Sequence, residues 1–522
     1  MAAVTGASRP EASATTGAGS RRRWATLSVL CVTLLLISLD NTILNVALPS
    51  IVRSMHATST QLQWIVDAYA VVFAGLLFSF GALGDRVGRK WVFMGGLVVF
   101  GAGSALAAWS ASPDRLIVAR AIMGAGAAAL MPGTLSILTN VFSAEWDRAR
   151  AIGIWSATAG LGVAIGPVLG GFLLVHFWWG SVFLINVPIA ALGLVAAAFL
   201  VPNSKNPLAK RADPVGAVLS ILGLGLLLWG IIEAPDRTWT APPILAAFAG
   251  SAALITAFVV WEHHIDHPML PLRFFANRRY SAAIASLALV LFALLGMFFL
   301  LTQYLQFCLG FSPLETGLGI APIALVLLVV APSSVILVRR LGTKPVVAGG
   351  LVLIAVGLGL LSHTTVHSTY RSAVPYLVLI GIGVGLALAP STDSVMGALP
   401  KGEAGVGSAS SDTSMQIGGA LGVAVLGTAL NIRYQDIMTP LVAHRQIPAG
   451  IEQLILGSLG GALAVAQRVP GAFGTALAAA ARRGFVSGMD LGFVVAAVVV
   501  AVAGIVVLAV LPNRPTTPAE SL

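Results

Sequence analysis

Asp40, Asp67, Asp393 and Asp412 are carboxylates set inside long apolar runs, and Arg120 is a guanidinium in the same setting. Asp40 stands in LISLDNTILNVALP, residues 36–49, with Asn41 and Asn45 beside it. A charge near the centre of a bilayer costs about 2.5–3.5 kcal/mol on insertion scales, so residues of this kind mark ion, proton or substrate paths. Two chemistries suit a carboxylate in that setting. Taken out of water, a carboxyl group holds its proton more tightly and can exchange it near neutral pH. It can also balance the charge of a cation. The plainer reading is a hydrogen bond to a neighbouring helix, and it competes at every one of these positions. Arg120 needs an acid or backbone carbonyls, and Asp40 is its expected partner in at least one state.

These residues need helices to hold them. The chain has 522 residues, 57% hydrophobic and only 10% charged, with a mean hydropathy of +0.93. Apolar stretches of about 20 residues, enough to cross a bilayer at about 1.5 Å per residue, recur along its length. We count about 14: 24–51, 61–83, 91–110, 114–139, 150–174, 181–201, 214–234, 242–262, 281–307, 314–338, 345–362, 374–397, 405–430 and 485–511. The runs are continuously apolar rather than alternating, which excludes a β-barrel. Arg21, Arg22 and Arg23 precede the first run as in a signal peptide. That run is too long and lacks a cleavage site, so it reads as an uncleaved helix.

The net charge of +10 reads as topology rather than nucleic-acid binding. With the N-terminus inside, the inner loops hold Arg86, Arg89, Lys90, Arg148, Arg150, Lys205, Lys210, Arg211, Arg273, Arg278, Arg279, Arg339, Arg340, Lys344 and Lys401. The short outer loops hold only Arg53, Arg115, Arg237 and Arg371. Both termini are then cytoplasmic, in the cell membrane. Cys31 and Cys308 lie within spans, which argues against a disulfide framework or a metal site. HHIDH, 263–267, reads as a solvated interfacial loop. Glu233 and Glu315 also lie near the membrane surfaces.

A repeat is visible. GALGDRVGRK, 81–90, and VILVRRLGTK, 335–344, share Leu83/Leu337, Arg86/Arg340, Gly88/Gly342 and Lys90/Lys344. GVAIGPVLGG, 162–171, and GGALGVAVLG, 418–427, align Gly162/Gly418, Gly166/Gly422 and Gly171/Gly427. Both matches pair spans 1–6 with spans 9–14 and leave spans 7 and 8 as an insertion. Two six-helix halves around a midplane cavity are the architecture of a transporter that works by rocking. The expected organisation is a disordered tail, 1–23; a six-helix bundle, 24–201; an inserted pair with linkers, 202–280; a second bundle, 281–511; and a tail, 512–522. Within the second bundle, 431–484 is an outer hairpin loop, able to form two short amphipathic helices. It is either a plain surface hairpin or a lid over the outer mouth.

These motifs resemble the major facilitator superfamily, in its 14-span drug:proton antiporter branch. LDNTILNVALP, 39–49, is similar to that branch's first-helix motif, and GALGDRVGRK to its loop 2–3 motif. Arg120 with Gly124 and Gly126 resembles the fourth-helix motif, with Met123 in place of the usual Gln. GVAIGPVLGG resembles the fifth-helix motif of exporters, and FLINVPI, 183–189, the sixth helix. Asp67 in QWIVDAY and Asp412 in SDT look like the acids of quaternary-ammonium and methyl-viologen exporters. The resemblance implies a proton-coupled exporter of lipophilic, cationic drugs or antiseptics.

On that reading, Asp40 with Arg120 couples to protons. Asp67, Asp412 and Asp393 recognise the cation or carry a second proton, although Asp393 lies nearer the inner surface. By depth, Asp40 and Asp67 fall in the outer half and Asp393 and Asp412 in the inner half. Trp64, Tyr69, Phe299, Tyr304 and Met415 are candidate cavity residues, since aromatic faces attract cations; singly, each also suits core packing. Gly84, Asp85, Arg86, Gly88 and Arg89 form a cytoplasmic gate. In it, Gly84 and Gly88 permit tight packing and positive φ, and Asp85 latches onto a helix N-terminus near 402–405. Gly162, Gly166, Pro167, Gly170 and Gly171 form a bending interface between the halves. The expected partners are small-molecule drugs, protons and the bilayer, with the chain as a monomer and no nucleic acid. No cofactor is expected, the proton gradient being the driving force. No G-x-x-x-x-G-K-[ST] loop and no nucleophile–base pair is present, so neither ATP-driven transport nor an enzyme is read. Export of an endogenous product, such as a self-made antibiotic or lipid, is the alternative. A membrane sensor or channel is a third.

Overall fold

A computed structural model describes residues 17–205, 212–400, 403–443, 447–469 and 471–512. Lys210, Arg211, Lys401 and Gly402, with most of both expected tails, lie outside these. In an apolar slab every backbone group must find its partner within the chain, and helices do this locally. The first half holds α1 (Gly17–Met55), α2 (Ser59–Val87), α3 (Arg89–Ala108), α4 (Pro113–Val141), α5 (Glu145–His176), and α6 (Ser181–Leu184) continuing as α7 (Asn186–Leu200). The inserted pair is α8 (Pro214–Arg237) and α9 (Pro242–His264). The second half holds α10 (Arg278–Gln303), α11 (Pro313–Leu341), α12 (Thr343–Leu361), α13 (Tyr370–Gly397) and α14 (Ala404–Val442). Two short helices, α15 (Ala449–Gly457) and α16 (Leu459–Arg468), lead to α17 (Ala472–Val510). Fourteen spans are long and apolar enough to cross a membrane among the described residues.

Helix starts follow local chemistry. Thr58 with Gln61 and Ser312 with Glu315 form reciprocal capping boxes at α2 and α11. The outer surface is strongly apolar: Leu192, Phe199 and Val329 are exposed at 71%, 75% and 68%. In water such a surface would associate; against lipid tails it is solvated.

The two halves repeat each other. α5 packs on α1 as α14 packs on α10, and α2 on α4 as α11 on α13. The glycines in register have matching neighbours. Gly162 and Gly166 lie against Ser38 and Thr42 of α1, while Gly418 and Gly422 lie against Ala288 and Phe292 of α10. Gly171 instead meets Pro313 and Leu314 of α11, and Gly427 meets Gln63 of α2, each in the other half. The expected interface between halves is thereby corrected. Gly162, Gly166 and Gly170 pack α5 onto α1 of their own half. Only Gly171, and Pro167 against Gly317, cross over. The halves therefore meet along two seams, α5–α11 and α2–α14. The inserted α8 packs on both helices of the second seam.

Gly88 and Gly342 end α2 and α11 with φ of +132° and +91°. The repeat thus extends to the left-handed turn that glycine tolerates best. Gly84, by contrast, is an ordinary helical residue with room for a Cβ.

We call the end with Arg86, Arg89, Lys90 and Lys344 the basic face. Contacts that join the halves collect at the opposite face. There Gln306 Nε2 donates to Val46 O at 2.9 Å, and Arg53 lies over the Phe307 ring at 5.1 Å. Gly460 of α16 packs against both Val52 and Phe307, and Tyr434 Oη donates to Ile455 O at 2.9 Å. The short helices thus touch both halves over that face. The expected 431–484 loop is shorter than its composition suggests. Residues 431–442 continue α14, and FGTALAAAARR begins α17, because an Ala-rich stretch has no reason to leave a helix already formed.

The glycine contacts carry a stability prediction. Gly166→Val forces a branched side chain into the α1–α5 contact and should cost about 1–3 kcal/mol. Gly171→Val, between the halves, should lower the Tm of the purified protein less. Equal losses at the two sites would show that the halves are joined as tightly as helices within one half.

Candidate functional site

The site begins at one helix turn of α1. Asp40 is 2% exposed and Arg120, on α4, 1%. Arg120 Nη1 donates to Asp40 Oδ2 at 2.5 Å, and its Nε donates to Ile65 O of α2 at 3.1 Å. The guanidinium carbon lies 4.4 Å from the Tyr69 ring centroid. Asn186 Nδ2, on α7, donates to Asp40 Oδ1 at 3.1 Å and lies 3.5 Å from Ser104 Oγ of α3. The pair is therefore held by groups from α1, α2, α3, α4 and α7. Gly124 allows this closeness, because a Cβ there would stand 2.5 Å from Tyr69 O. Met123 Sδ is 3.9 Å from Arg120 Nη1. The pairing expected from Arg120's depth is present.

Asp67 is different. It is 0% exposed, and neither carboxylate oxygen has a hydrogen-bond partner. At about 100° per residue, a position two along from Ile65 points to the far side of α2. Gln63, one turn from Asp67, packs against Gly427 of α14. Ala70 and Val71 pack with Leu228 and Ile232 of α8 and with Ala420 and Ala424 of α14. Asp67 thus belongs to the α2–α14 seam, and the structure does not bring it together with the Asp40–Arg120 pair. α2 divides the two acids.

The remaining candidates are dispersed. Asp412 is half-buried on α14. Asp393 is exposed near the basic-face end of α13. Trp64 packs on the α8 cluster. Phe299 and Tyr304 lie in the main core, 0% and 1% exposed, and the Tyr304 hydroxyl donates to Thr365 O at 2.8 Å. Met415 packs beside the Tyr280 cluster. Of the proposed aromatic lining, only Tyr69 touches the buried charges.

The gate motif is tied within its own half. Asp85 pairs with Arg89 at 2.7 Å, Arg89 Nη1 donates to Ser136 O of α4 at 3.2 Å, and Lys90 Nζ donates to Ala198 O of α7 at 2.7 Å. Arg86 is exposed. Among the described residues no hydrogen bond or ion pair joins Asp85 to the other half. The expected latch to 402–405 is therefore not engaged where it can be followed, and among the described residues no hydrogen bond or ion pair fastens the two halves at the basic face.

Sequence reasoning does not single out Asn186, although it lies inside the FLINVPI motif. It also passes over Asp490, within the last span, whose Oδ1 is buried without a partner. Asp213 and Glu262 are missed as well. Both are 3% exposed, at the basic-face end of the inserted pair, where Trp261 Nε1 donates to Asp213 Oδ1 at 3.0 Å and Leu270 N donates to Glu262 Oε2 at 2.9 Å.

Fourteen spans, two repeated halves and a buried ion pair define a multi-pass membrane transporter. Residues 30–423 match the Major Facilitator Superfamily, and the chain belongs to that family. It is 36% identical to the multidrug efflux pump LfrA of Mycolicibacterium smegmatis, covering 93% of this chain and 96% of that protein. It is 32% identical to the methyl viologen resistance protein SmvA of Salmonella typhimurium, covering 89% and 93%. In fold it is similar to a bacterial homologue of the human lysosomal transporter Spinster, with a TM-score of 0.66 at 18% identity, over 95% of this chain and 99% of that one. Its relatives are efflux and resistance proteins of that transporter family.

The buried pair gives a direct test. Asp40→Ala strands the Arg120 charge, with an expected loss of about 3–5 kcal/mol of stability. Asp40→Leu combined with Arg120→Met should recover most of it, because an apolar pair of similar volume removes both charges together. Thermal unfolding of the single and double variants in detergent measures the coupling. Losses that simply add would show that the two side chains do not depend on each other.

Proposed function

We propose that this protein is a proton-coupled antiporter that exports lipophilic cationic drugs across the cell membrane by alternating access. The basic face is cytoplasmic, as are both termini. That assignment rests on the loop arginines and lysines. A single chain supplies both halves and both seams, which supports a monomer. The proton gradient drives it, and no cofactor is needed.

One observation carries the proposal: Asp67 is buried without any donor in the seam between the halves. An unpaired carboxylate sealed in a dry seam would cost several kcal/mol. The seam therefore closes over Asp67 only when the acid carries a proton or faces a cation. Outside, the proton arrives before closure. From the inside, a cationic drug competes for the same acid, and its charge is balanced until the outer side opens. Proton and drug thus use one position at different stages, which is the basis of exchange.

Asp40 adds a second step. A proton on Asp40 breaks its ion pair with Arg120. Arg120 then keeps the Ile65 carbonyl and the Tyr69 ring, both on α2, beside the Met123 sulfur of its own helix. Protonation therefore moves the hold on the guanidinium from α1 to α2. Asp412, half-buried on α14 toward the basic face, is placed to attract the cation on its way in from the cytoplasm, and exposed Asp393 extends that attraction to the surface.

Proteoliposomes loaded with ethidium provide the test. Asp67→Asn makes the seam residue permanently neutral. Uphill export driven by an imposed pH gradient should fall at least tenfold, about 1.4 kcal/mol or more. Ethidium exchange without a gradient should weaken as well, because the cation loses the carboxylate that balances its charge. Undiminished uphill export by Asp67→Asn would sink the assignment.

A further inference from the structure

The inserted helix α8 ends at the face opposite the basic one with Asp236, and Asp236 binds both halves at once. Thr60 Oγ1 of α2 donates to its Oδ2 at 2.8 Å. Asn431 Nδ2 and Gln435 Nε2 of α14 donate to its Oδ1 at 3.2 and 2.6 Å. A turn further in, Thr428 Oγ1 of α14 donates to Ile231 O of α8 at 2.9 Å. Below these, Leu228 and Ile232 fill the groove between α2 and α14. Thr60 and Asn431 are 8% and 2% exposed, and the side-chain carbonyl of Asn431 has no partner of its own. The amide is thus oriented by the carboxylate alone. The neighbouring acid Glu233 pairs only with Arg237 on its own helix, at 3.2 Å.

We infer that Asp236 is a positioning residue of the transport cycle, a clasp through which α8 holds the outer end of the α2–α14 seam shut. Opening that end separates Thr60 from Asn431 and Gln435. One carboxylate cannot follow both helices, so one set of hydrogen bonds must break. Bonds to a charged acceptor are worth more than neutral ones, so the clasp biases the protein toward the state closed at this face. It also gives the inserted pair a role: α8 restrains one of the two seams, and the repeat supplies no counterpart at α5–α11. This inference rests on the alternating-access reading above.

Spin labels at Ser54→Cys and Thr369→Cys, on the outer ends of the two halves, report opening directly. The background carries Cys31→Ala and Cys308→Ala. Distances are recorded in nanodiscs at pH 5 and pH 8, with and without ethidium. Asp236→Ala should raise the open-to-closed ratio about tenfold, and Thr60→Val alone should raise it in the same direction. Thr60→Val added to Asp236→Ala should give no further change, whereas simple loosening of the fold would accumulate. Glu233→Gln should leave the distribution as in the unmodified chain. If Asp236→Ala fails to fold, Thr60→Val and Asn431→Leu test the two arms separately. An unchanged distribution in the variants, or an equal shift with Glu233→Gln, overturns the clasp while leaving alternating access intact. A single closed distance for the unmodified chain under all four conditions overturns alternating access and the clasp together.

Discussion

A bilayer interior offers no water to a stranded charge, and the Asp40–Arg120 pair is organised around that constraint. Both oxygens of Asp40 are engaged, one by Arg120 and one by Asn186. Arg120 spends a further donor on the Ile65 carbonyl and lays its plane near Tyr69. Satisfying two charges thus gathers five helices of one half around a point. An apolar pair of the same size would often hold a core as firmly. Stability alone therefore gives no reason to keep an acid and a base there. The proposed coupling gives one: a proton on Asp40 would turn the guanidinium from α1 toward α2.

Asp67 inverts this logic. It meets the same constraint with no partner at all, in the only seam that includes an extra helix. The two acids are divided by α2, so a movement of α2 affects both. On one side it carries the carbonyl and ring that contact Arg120. On the other it carries Asp67 and Gln63 against α14. A rigid helix between two charge sites is a physical link between them, since it can satisfy one only in positions that fix the environment of the other.

Much of this was legible in the sequence. Hydropathy alone gave the spans, because a bilayer demands length and apolarity of each one separately. The glycines at 162, 166 and 171 and at 418, 422 and 427 exposed the repeat, since close backbone approach tolerates little else. Arg120 could be matched to Asp40 because a lone base at that depth has few acids to choose from. Direction around a helix was not legible. The spacing of two sets Asp67 opposite Tyr69 on α2, but the pattern does not say which of those sides meets Asp40 and which meets α14. A run of glycines announces a close contact but not the partner, which is why Gly162, Gly166 and Gly170 were expected between halves and lie against α1. Asn186 escaped notice because a neutral amide costs little in a helix, and its importance appears only when Asp40 is beside it. Asp236 sits where solvation alone would explain an acid.

The insertion breaks the symmetry that the repeat creates. Two equivalent halves related by the glycine register would meet along two equivalent seams. With α8 packed on α2 and α14, the seams differ: one holds two glycine contacts and little else polar, the other holds an apolar groove, a three-donor carboxylate and a buried unpaired acid. The α2–α14 seam is therefore the one whose opening requires the larger rearrangement, and the α5–α11 seam is free to act as the hinge. On the proposed function, a proton or a cation would then act in the seam that must rearrange most, and no long pathway through the protein would be required to carry its effect.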